Sequence, residues 1–384
     1  MRLHLRSLIA CALLLACGPG EVIDTDTDGG TSSAATAGSD TGVDTDDAAL
    51  SCAGARWVAI HDLGEYDRLS IDSLGRVYAF GAYYSADRAG VGMVTRFDVD
   101  GQVTDIIKAA VEERGDTRRG GVDGQDYVHA LLRADNQPAG YQWWIVRHDP
   151  SGARSSETYL NGQAETPFEP EGLAIAPDGA AVIGGWSLDD ESWVLQRRDP
   201  TGVILWEQSM VEKTDVVAIN GDGLMAGARY SGVSVLEADG SLRWAYDLET
   251  TYPTKVDLAQ DGGVVLAHER GLGSIELVRL SGDGDPLWTS AFMVASEHDK
   301  LADVAINASG AIAVGGYIQT TNPLTAWVAR FSADGEQLAT YTCLDEADSR
   351  GHTVAIDRDG AVFVAGSVGV DGGYHGFVAR FDPS

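Results

Sequence analysis

Arg96-Phe-Asp-Val-Asp-Gly101 is the first of seven related segments that recur along the chain and decide its fold. Similar segments begin at Arg147, Arg197, Arg279, Arg330 and Arg380, and a degenerate copy begins at Val235. Successive copies start 51, 50, 38, 44, 51 and 50 residues apart. Units of about 40 to 50 residues in a β-rich chain are typical of propeller blades, four-stranded meanders that bury their faces against one another. The spacing therefore predicts an all-β, seven-bladed propeller.

Turn chemistry explains the repeated segment. An Asp or Ser followed two or three residues later by Gly forms a hairpin turn, in which the side-chain oxygen caps backbone N–H groups and Gly takes a positive φ. A second hairpin precedes it in each unit, as in Ile175-Ala-Pro-Asp-Gly179 and Ile356-Asp-Arg-Asp-Gly360. Trp206, Trp244 and Trp288 each follow the first turn at one fixed offset. We expect these tryptophans and the recurrent arginines to pack neighbouring blades together.

The two ends of the repeat region predict how the ring closes. The last unit stops at Ser384, after its third strand, whereas the region opens with an unassigned strand around Trp57. Trp57 precedes Ile71 by the same 14 residues that separate Trp244 from Leu258. The N-terminal strand is therefore predicted to complete the last blade, so that the ring has no free edge. The propeller domain is assigned to residues 51–384.

The hairpins resemble a known group of repeats. Residues 52–384 are similar to bacterial seven-bladed β-propeller repeats (SBBP-like), with their I-x-x-D-G-x-V-x-V-x-G hairpins. They are more loosely similar to quinoprotein-like repeats with D-G-x-x-x-W. The resemblance implies the fold and leaves the function open, because propellers serve as enzymes, scaffolds and binding modules.

The N-terminus predicts export and lipid anchoring. Arg2 and Arg6 precede the apolar run from Leu8 to Ala16, which is long enough for a signal peptide and too short to span a bilayer. Leu14-Leu15-Ala16-Cys17-Gly18 resembles the lipobox of bacterial lipoproteins. This implies cleavage of residues 1–16 and acylation (palmitate) of Cys17. Gly18 and Pro19 stand where an Asp would retain the protein at the inner membrane, so the resemblance favours the outer membrane.

Residues 17–50 form the predicted tether. Residues 18–50 contain eight acidic residues and neither Lys nor Arg, a composition that cannot bury enough apolar surface to fold. The composition of this segment, rich in Asp and Thr, resembles that of the tethers of myxobacterial lipoproteins. Asp24, Asp26 and Asp28 match the opening of an EF-hand loop, but Ala35 replaces the bidentate Glu. A solvated segment is therefore favoured over a calcium site.

Charge limits the partners. The formal net charge of −31 repels polyanions, which excludes nucleic acid as a partner. We expect a monomer that meets the membrane through its lipid. Its acidic surface suits calcium, a cationic ligand or a basic envelope protein, but a plain solvated surface is the favoured explanation of that charge. No other cofactor is expected.

Cys52 and Cys343 are the two cysteines of the predicted domain. An even pair in an exported protein is more often a disulfide than a metal or catalytic site. We place Cys52 in the closing strand and Cys343 in the fourth strand of the preceding blade, so the bond would join the ring at its seam.

Two functions remain open. A non-catalytic binding or scaffold module of the envelope is favoured, by analogy with the quinoprotein-like lipoprotein of outer-membrane protein assembly. The alternative is a propeller enzyme, quinoprotein-like or hydrolytic, although the chain lacks adjacent cysteines and an intact sialidase turn. No catalytic residue can be named, and no metal site is assigned. Even Glu297-His298-Asp299, the densest ligand-like trio, is better explained as a solvated loop.

The proposed binding surface is a rim of acidic loops between successive blades, with ordinary solvated loops as the alternative. The residues concerned are Asp62, Glu65, Asp67, Glu112, Glu113, Asp116, Glu297, Asp299, Asp345, Glu346 and Asp348.

Overall fold

A computed structural model of the protein describes residues 51–61, 64–84, 90–108, 116–135, 141–160, 168–187, 189–210, 212–214, 216–229, 231–248, 254–271, 273–294, 299–319, 323–370 and 372–383. All regular elements in these ranges are β-strands. In the same ranges, no helix has the length and apolar character needed to cross a membrane. The predicted signal segment, Cys17, the tether and its Asp24, Asp26 and Asp28 lie outside the described residues.

The strands form seven antiparallel four-stranded sheets, which confirms the predicted seven-bladed β-propeller. Blades 1 to 4, each from its innermost to its outermost strand, are β2 (Glu65–Ile71), β3 (Val77–Tyr84), β4 (Gly90–Phe97) and β5 (Val103–Lys108); β6 (Asp116–Val122), β7 (Val128–Asp135), β8 (Tyr141–His148) and β9 (Arg154–Tyr159); β10 (Phe168–Ile175), β11 (Ala181–Ser187), β12 (Ser192–Arg198) and β13 (Ile204–Met210); β14 (Val216–Ile219), β15 (Met225–Arg229), β16 (Gly232–Leu236) and β17 (Leu242–Asp247). Blades 5 to 7 are β18 (Thr254–Leu258), β19 (Val264–Glu269), β20 (Ile275–Leu280) and β21 (Pro286–Phe292); β22 (Lys300–Ile306), β23 (Ile312–Ile318), β24 (Thr325–Phe331) and β25 (Gln337–Cys343); β26 (Ser349–Ile356), β27 (Val362–Val370), β28 (Gly373–Phe381) and β1 (Trp57–His61).

The ring closes as the sequence predicts. Strand β1 pairs antiparallel with β28, with Trp57 opposite Arg380 and His61 opposite Gly376. The first strand of the chain is therefore the fourth strand of blade 7. This pairing leaves the last blade with no unpaired outer edge along β28.

The repeated segment is the turn between the third and fourth strands of a blade. In blade 1 the Gly101 N–H donates to the Asp98 carbonyl at 3.1 Å, and one Asp98 carboxylate oxygen accepts the N–H groups of Asp100 and Gln102. Gly101 has φ of 83°, a conformation that costs a residue with a Cβ extra free energy. Side-chain capping and the positive φ therefore select Asp and Gly at these positions.

Tryptophan and arginine side chains join each blade to the next. The indole N–H of Trp206 and the guanidinium of Arg197 both donate to the Ala238 carbonyl in the turn of blade 4, at 3.0 and 2.8 Å. Trp57 and Arg380 repeat the pattern on the Val99 carbonyl of blade 1, at 3.1 and 3.0 Å. The predicted packing role is confirmed, and the closing strand makes the same contact as the other outer strands.

The core lies between blades rather than in one central mass. Phe292 of blade 5 packs against Phe331 and the fully buried Trp327 of blade 6, with ring centroids 4.8 and 6.3 Å apart. Because every blade presents both faces to neighbours, its middle strands are apolar on both sides, as in β24, whose seven residues are all buried, whereas outer strands such as β9 are exposed. The channel at the centre is therefore left for the innermost strands to line.

Cys52 and Cys343 form a disulfide, with Cα atoms 4.1 Å apart, as predicted. The placement of Cys52 inside the closing strand is wrong, because Cys52 lies ahead of β1 and forms an isolated bridge with Cys343 at the end of β25. A turn in which the Ala55 N–H donates to the Cys52 carbonyl separates the bridge from β1. The bond therefore links the segment before the closing strand to blade 6.

Candidate functional site

The innermost strands of the blades surround a cavity of about 300 Å³ in the central channel. Its lining comes from all seven inner strands and from Tyr317, near the end of β23. Asp67, Lys255 and Leu301 lie in the first half of their strands, on the face that carries the connections between blades. Its ionisable lining residues are Asp67, Arg68, Arg119, Lys255, Asp303 and His352.

Bulges in the inner strands aim side chains at this cavity. The register slips by one residue between Tyr66 and Arg68 in β2 and between Gly351 and Thr353 in β26, and β6, β10 and β22 carry matching slips. Such a bulge re-aims the extra residue, and bulges are frequent beside functional sites. In β2 and β26 the extra residues are Asp67 and His352, both of which line the cavity.

Glycines in the second strands make room for these bulges. A Cβ on Gly366 would collide with the carbonyl oxygen of Arg350, and it would lie 2.9 Å from the Arg350 carbonyl carbon. Gly81 and Gly316 stand in the same relation to the carbonyls of Glu65 and Lys300. The last Gly of the repeated V-x-V-x-G pattern is therefore the sequence signal for the bulge.

An ion pair between blades 1 and 6 supports one side of the cavity. The Arg68 guanidinium lies 3.1 Å from the Asp303 carboxylate, which is 5% exposed. Asp303 also accepts hydrogen bonds from the Thr353 hydroxyl at 2.8 Å and from its neighbour's backbone, the Val304 N–H, at 3.0 Å. The ion pair and these hydrogen bonds offset the cost of removing the Asp303 carboxylate from water. Through them Asp303 joins blades 1, 6 and 7.

Asp257 of blade 5 makes a similar link to blade 6. Its carboxylate accepts the Ile306 and Leu258 N–H groups, each at 2.8 Å. Burial, with a smaller contribution from the Asp303 carboxylate, raises the pKa of Asp257 to about 6. These hydrogen bonds and the Arg68 guanidinium act in the opposite direction. Because Asp257 is not among the residues that line the cavity, we assign it to blade packing.

Glu65, Asp67 and His352 form a mixed cluster at the cavity edge. One ligand atom from each lies within 4.8 Å of the others, and all three residues are half-buried. The His352 Nδ1 lies 3.5 Å from an Asp67 carboxylate oxygen. Two of the predicted acidic residues are thus brought together with a histidine from the far end of the chain, which sequence reasoning did not single out.

Several other acidic residues of the predicted rim have structural partners. Asp116 makes two hydrogen bonds with the Arg133 guanidinium, at 3.1 and 2.8 Å. Asp299 is 1% exposed and accepts the Val294 N–H at 3.1 Å. Asp348 accepts the Tyr374 hydroxyl at 3.0 Å. Two further members, Asp345 and Glu346, are exposed. The remaining members, Asp62, Glu112, Glu113 and Glu297, lie outside the described residues, as does His298.

Histidines outside the cavity serve the packing of single blades. His129 lies 3.0 Å from Asp123, which also accepts an Arg147 N–H at 2.9 Å. Burial alone would raise the pKa of Asp123, but the hydrogen bonds from His129, Arg147 and the backbone lower it to about 2. His268 faces Glu276 at 3.0 Å within blade 5. Among the residues that the structure describes, His352 is the histidine that lines the channel cavity.

Comparison with known proteins extends the fold assignment. The sequence matches no protein-family model and no curated relative. Virginiamycin B lyase from Staphylococcus aureus is similar in structure, with a TM-score of 0.55 and 13% identity over 84% of this chain and 98% of that chain. The structure of its catalytically inactive histidine-to-alanine variant with quinupristin is also similar. Its TM-score is 0.56, with 12% identity over 84% of this chain and 99% of that chain. Enzymes share this fold.

A domain of the WD40 type shares it as well. The WD40 domain of Neurospora crassa Pan2 is similar with a TM-score of 0.51 and 9% identity over 83% of this chain and 92% of that chain. At these identities the likeness supports the propeller fold alone. The function has to be argued from the residues of the cavity.

Proposed function

We propose that the protein is a lipid-anchored binding module of the cell envelope that holds a small ligand with an anionic group in its channel cavity. The observation that carries the proposal is the charge of the lining. Three basic side chains, Arg68, Arg119 and Lys255, meet two acidic ones there, although the whole chain has a net charge of −31. An excess of positive charge at this one concave site favours a carboxylate or phosphate group.

Size and position support a small ligand. A cavity of about 300 Å³ is at the lower end of the range for small-molecule sites. Arg68 lies 3.1 Å from Asp303, and the other two basic side chains of the lining, Arg119 of blade 2 and Lys255 of blade 5, come from different blades. Ligand groups that reach both side chains would bridge the channel.

Removing these two cations is expected to weaken anion binding. Calorimetric titration of the full chain with citrate and with inorganic phosphate, after treatment with chelator and exchange into metal-free buffer, should detect binding. Each lost charge-assisted hydrogen bond contributes about 1.5 to 3 kcal/mol, so Arg119→Ala and Lys255→Ala should each reduce affinity about tenfold or more. Arg358→Ala is the matched control, because Arg358 is an exposed cation in the turn between β26 and β27, on the face opposite the connections between blades. Equal losses in all three variants, or no binding by the wild type, would contradict the proposal.

Anchoring is supported by the sequence of the N-terminus. Replacing Cys17 with Ser removes the acyl-accepting thiol, so the protein should move from the membrane fraction to the soluble fraction. Mass spectrometry of the membrane-extracted wild type should find the lipid on an N-terminal Cys17. Fractionation of the outer and inner membranes then tests the outer-membrane address. An unmodified N-terminus at another residue would refute this part of the proposal.

A propeller enzyme is the second candidate, and one observation favours it. His352 and Asp67 form a histidine–carboxylate pair at the edge of a ligand-sized cavity, and such pairs serve in general acid–base catalysis. The similar virginiamycin B lyase is an enzyme, and its histidine-to-alanine variant is catalytically inactive. Recovery of a chemically altered ligand after incubation with the protein would favour this candidate over a binding module.

A further inference from the structure

The cluster of Glu65, Asp67 and His352 has the composition of a metal site. Glu65 and Asp67 come from β2 of blade 1, and His352 comes from β26 of blade 7. The cluster therefore spans the junction of the first and last blades of the chain. One imidazole and two carboxylates form a ligand set that divalent transition metals such as Zn²⁺ accept.

The distances within the cluster suit one shared ion. Ligand atoms bound to the same tetrahedral Zn²⁺ at its usual bond lengths lie about 3.4 Å apart. The Asp67 oxygen and the His352 Nδ1 are 3.5 Å apart, which is longer than a well-formed hydrogen bond. The third ligand atom, from Glu65, lies within 4.8 Å of both. Small side-chain movements would bring all three onto one ion.

The second ring nitrogen of His352 also lies near a polar group. The hydroxyl of Ser367, a residue that is 2% exposed, lies 3.5 Å from the His352 Nε2 on the side away from Asp67. Metal-binding histidines commonly engage a second group through the other ring nitrogen, which fixes the ring orientation and tautomer. In His352 the Ser367 hydroxyl lies beside Nε2, and Nδ1 is the ring nitrogen that faces Asp67.

We propose that Glu65, Asp67 and His352 bind a divalent transition metal of the Zn²⁺ class. Three protein ligands leave at least one coordination position for water or a ligand. Asp67 and His352 line the cavity, so that position lies at the cavity edge. A metal there would add a second means of holding an anionic group, and only this last consequence rests on the proposed function. The imidazole distinguishes the site from a calcium site, in which oxygen atoms supply the ligands.

Zinc titration of the full chain tests the site. After treatment with chelator and buffer exchange, calorimetry should show one equivalent of Zn²⁺ that depends on His352. His352→Ala should lower the affinity at least tenfold, and Glu65→Gln should also weaken binding. Zn²⁺ should raise the thermal midpoint of the wild type by about 2 °C or more and that of His352→Ala by less. Bound Co²⁺ should give a visible absorption spectrum that the His352→Ala variant lacks.

The matched control is the double variant Asp345→Asn/Glu346→Gln, which removes two exposed carboxylates from the same face. Its zinc affinity should stay unchanged. No zinc binding by the wild type would overturn the proposal, and so would equal binding by His352→Ala, which would place the ion outside this cluster. Calcium binding that survives His352→Ala but not the double variant would assign the cation to the acidic loops instead. Because the anion titration is run on metal-free protein, it succeeds or fails independently of this result.

Discussion

Replacing Cys52 with Ala is expected to lower the free energy of unfolding by about 2 to 4 kcal/mol. The bond closes a loop with a sequence separation of 291 residues, and it joins blade 6 to the segment that leads into the closing strand. Without it, the unfolded chain gains conformational freedom and the seam is held by hydrogen bonds and packing alone. Urea unfolding followed by tryptophan fluorescence, without reductant, measures the difference.

Three comparisons make this expectation specific to the bond. Cys343→Ala should lower the free energy of unfolding by a similar amount, plus a small contribution from the cavity that the loss of this fully buried sulfur leaves. The double variant should lose little more than either single variant, because both remove the same bond. Reduction of the wild type should reproduce the shift. An unchanged urea midpoint after reduction would show that the disulfide does not stabilise the ring.

Gly366→Ala is expected to destabilise the domain by about 1 to 3 kcal/mol and to disturb the cavity. The new Cβ would overlap the Arg350 carbonyl oxygen and stand 3.1 Å from the His352 N, so the bulged inner strand of blade 7 would have to move. The Gly366 backbone does not have a positive φ, so the cost is steric and arises in the folded state. Thermal or urea unfolding measures the stability, and binding of citrate or Zn²⁺ reports on the cavity edge.

Gly373→Ala is the matched control for this substitution. Gly373 lies in β28 of the same blade, is exposed, and a Cβ there would meet no atom closer than 3.7 Å. Its effect should stay within about 0.5 kcal/mol. If Gly366→Ala unfolded at the same urea concentration as Gly373→Ala, the second-strand glycine would not be needed for the bulge.

The fold was accessible from the sequence because its signals are local and repeated. A capped turn such as Asp98 to Gly101 and a tryptophan at a fixed offset require only a few neighbouring residues, and seven near-copies average out the exceptions. The closing strand followed from the same spacing. The placement of Cys52 failed because the turn from Cys52 to Ala55 interrupts the strand, and no spacing rule reveals where a strand begins.

The candidate site was only partly accessible for a different reason. Glu65 and Asp67 stood out as acidic residues, but His352 was one histidine among several scattered ones. The two strands meet only because the ring closes, and a one-residue slip in each decides that Asp67 and His352 line the cavity. Alternation with a period of two would assign these side chains to the other face. The glycines opposite the bulges carry that information, and their role is visible only in the folded chain.

The sequence also did not reveal which acidic residues of the predicted rim are available to a partner. Acidic residues in neighbouring loops look alike in sequence, yet Asp299 is buried as a backbone acceptor, Asp116 is paired with Arg133, and Asp345 is exposed. Whether an acidic side chain is available to a partner depends on contacts that net charge does not reveal. Binding of a cationic partner by the exposed members stays a prediction.

The position of Cys52 has a mechanical consequence. Cys52 precedes β1, so tension applied along the chain from its N-terminal side reaches the bond to Cys343 before it reaches the pairing of β1 with β28. A pull of this kind loads a covalent link and the wall of blade 6 behind it. It cannot peel the closing strand away one hydrogen bond at a time. The disulfide therefore bears the applied force and protects the β1–β28 pairing from it.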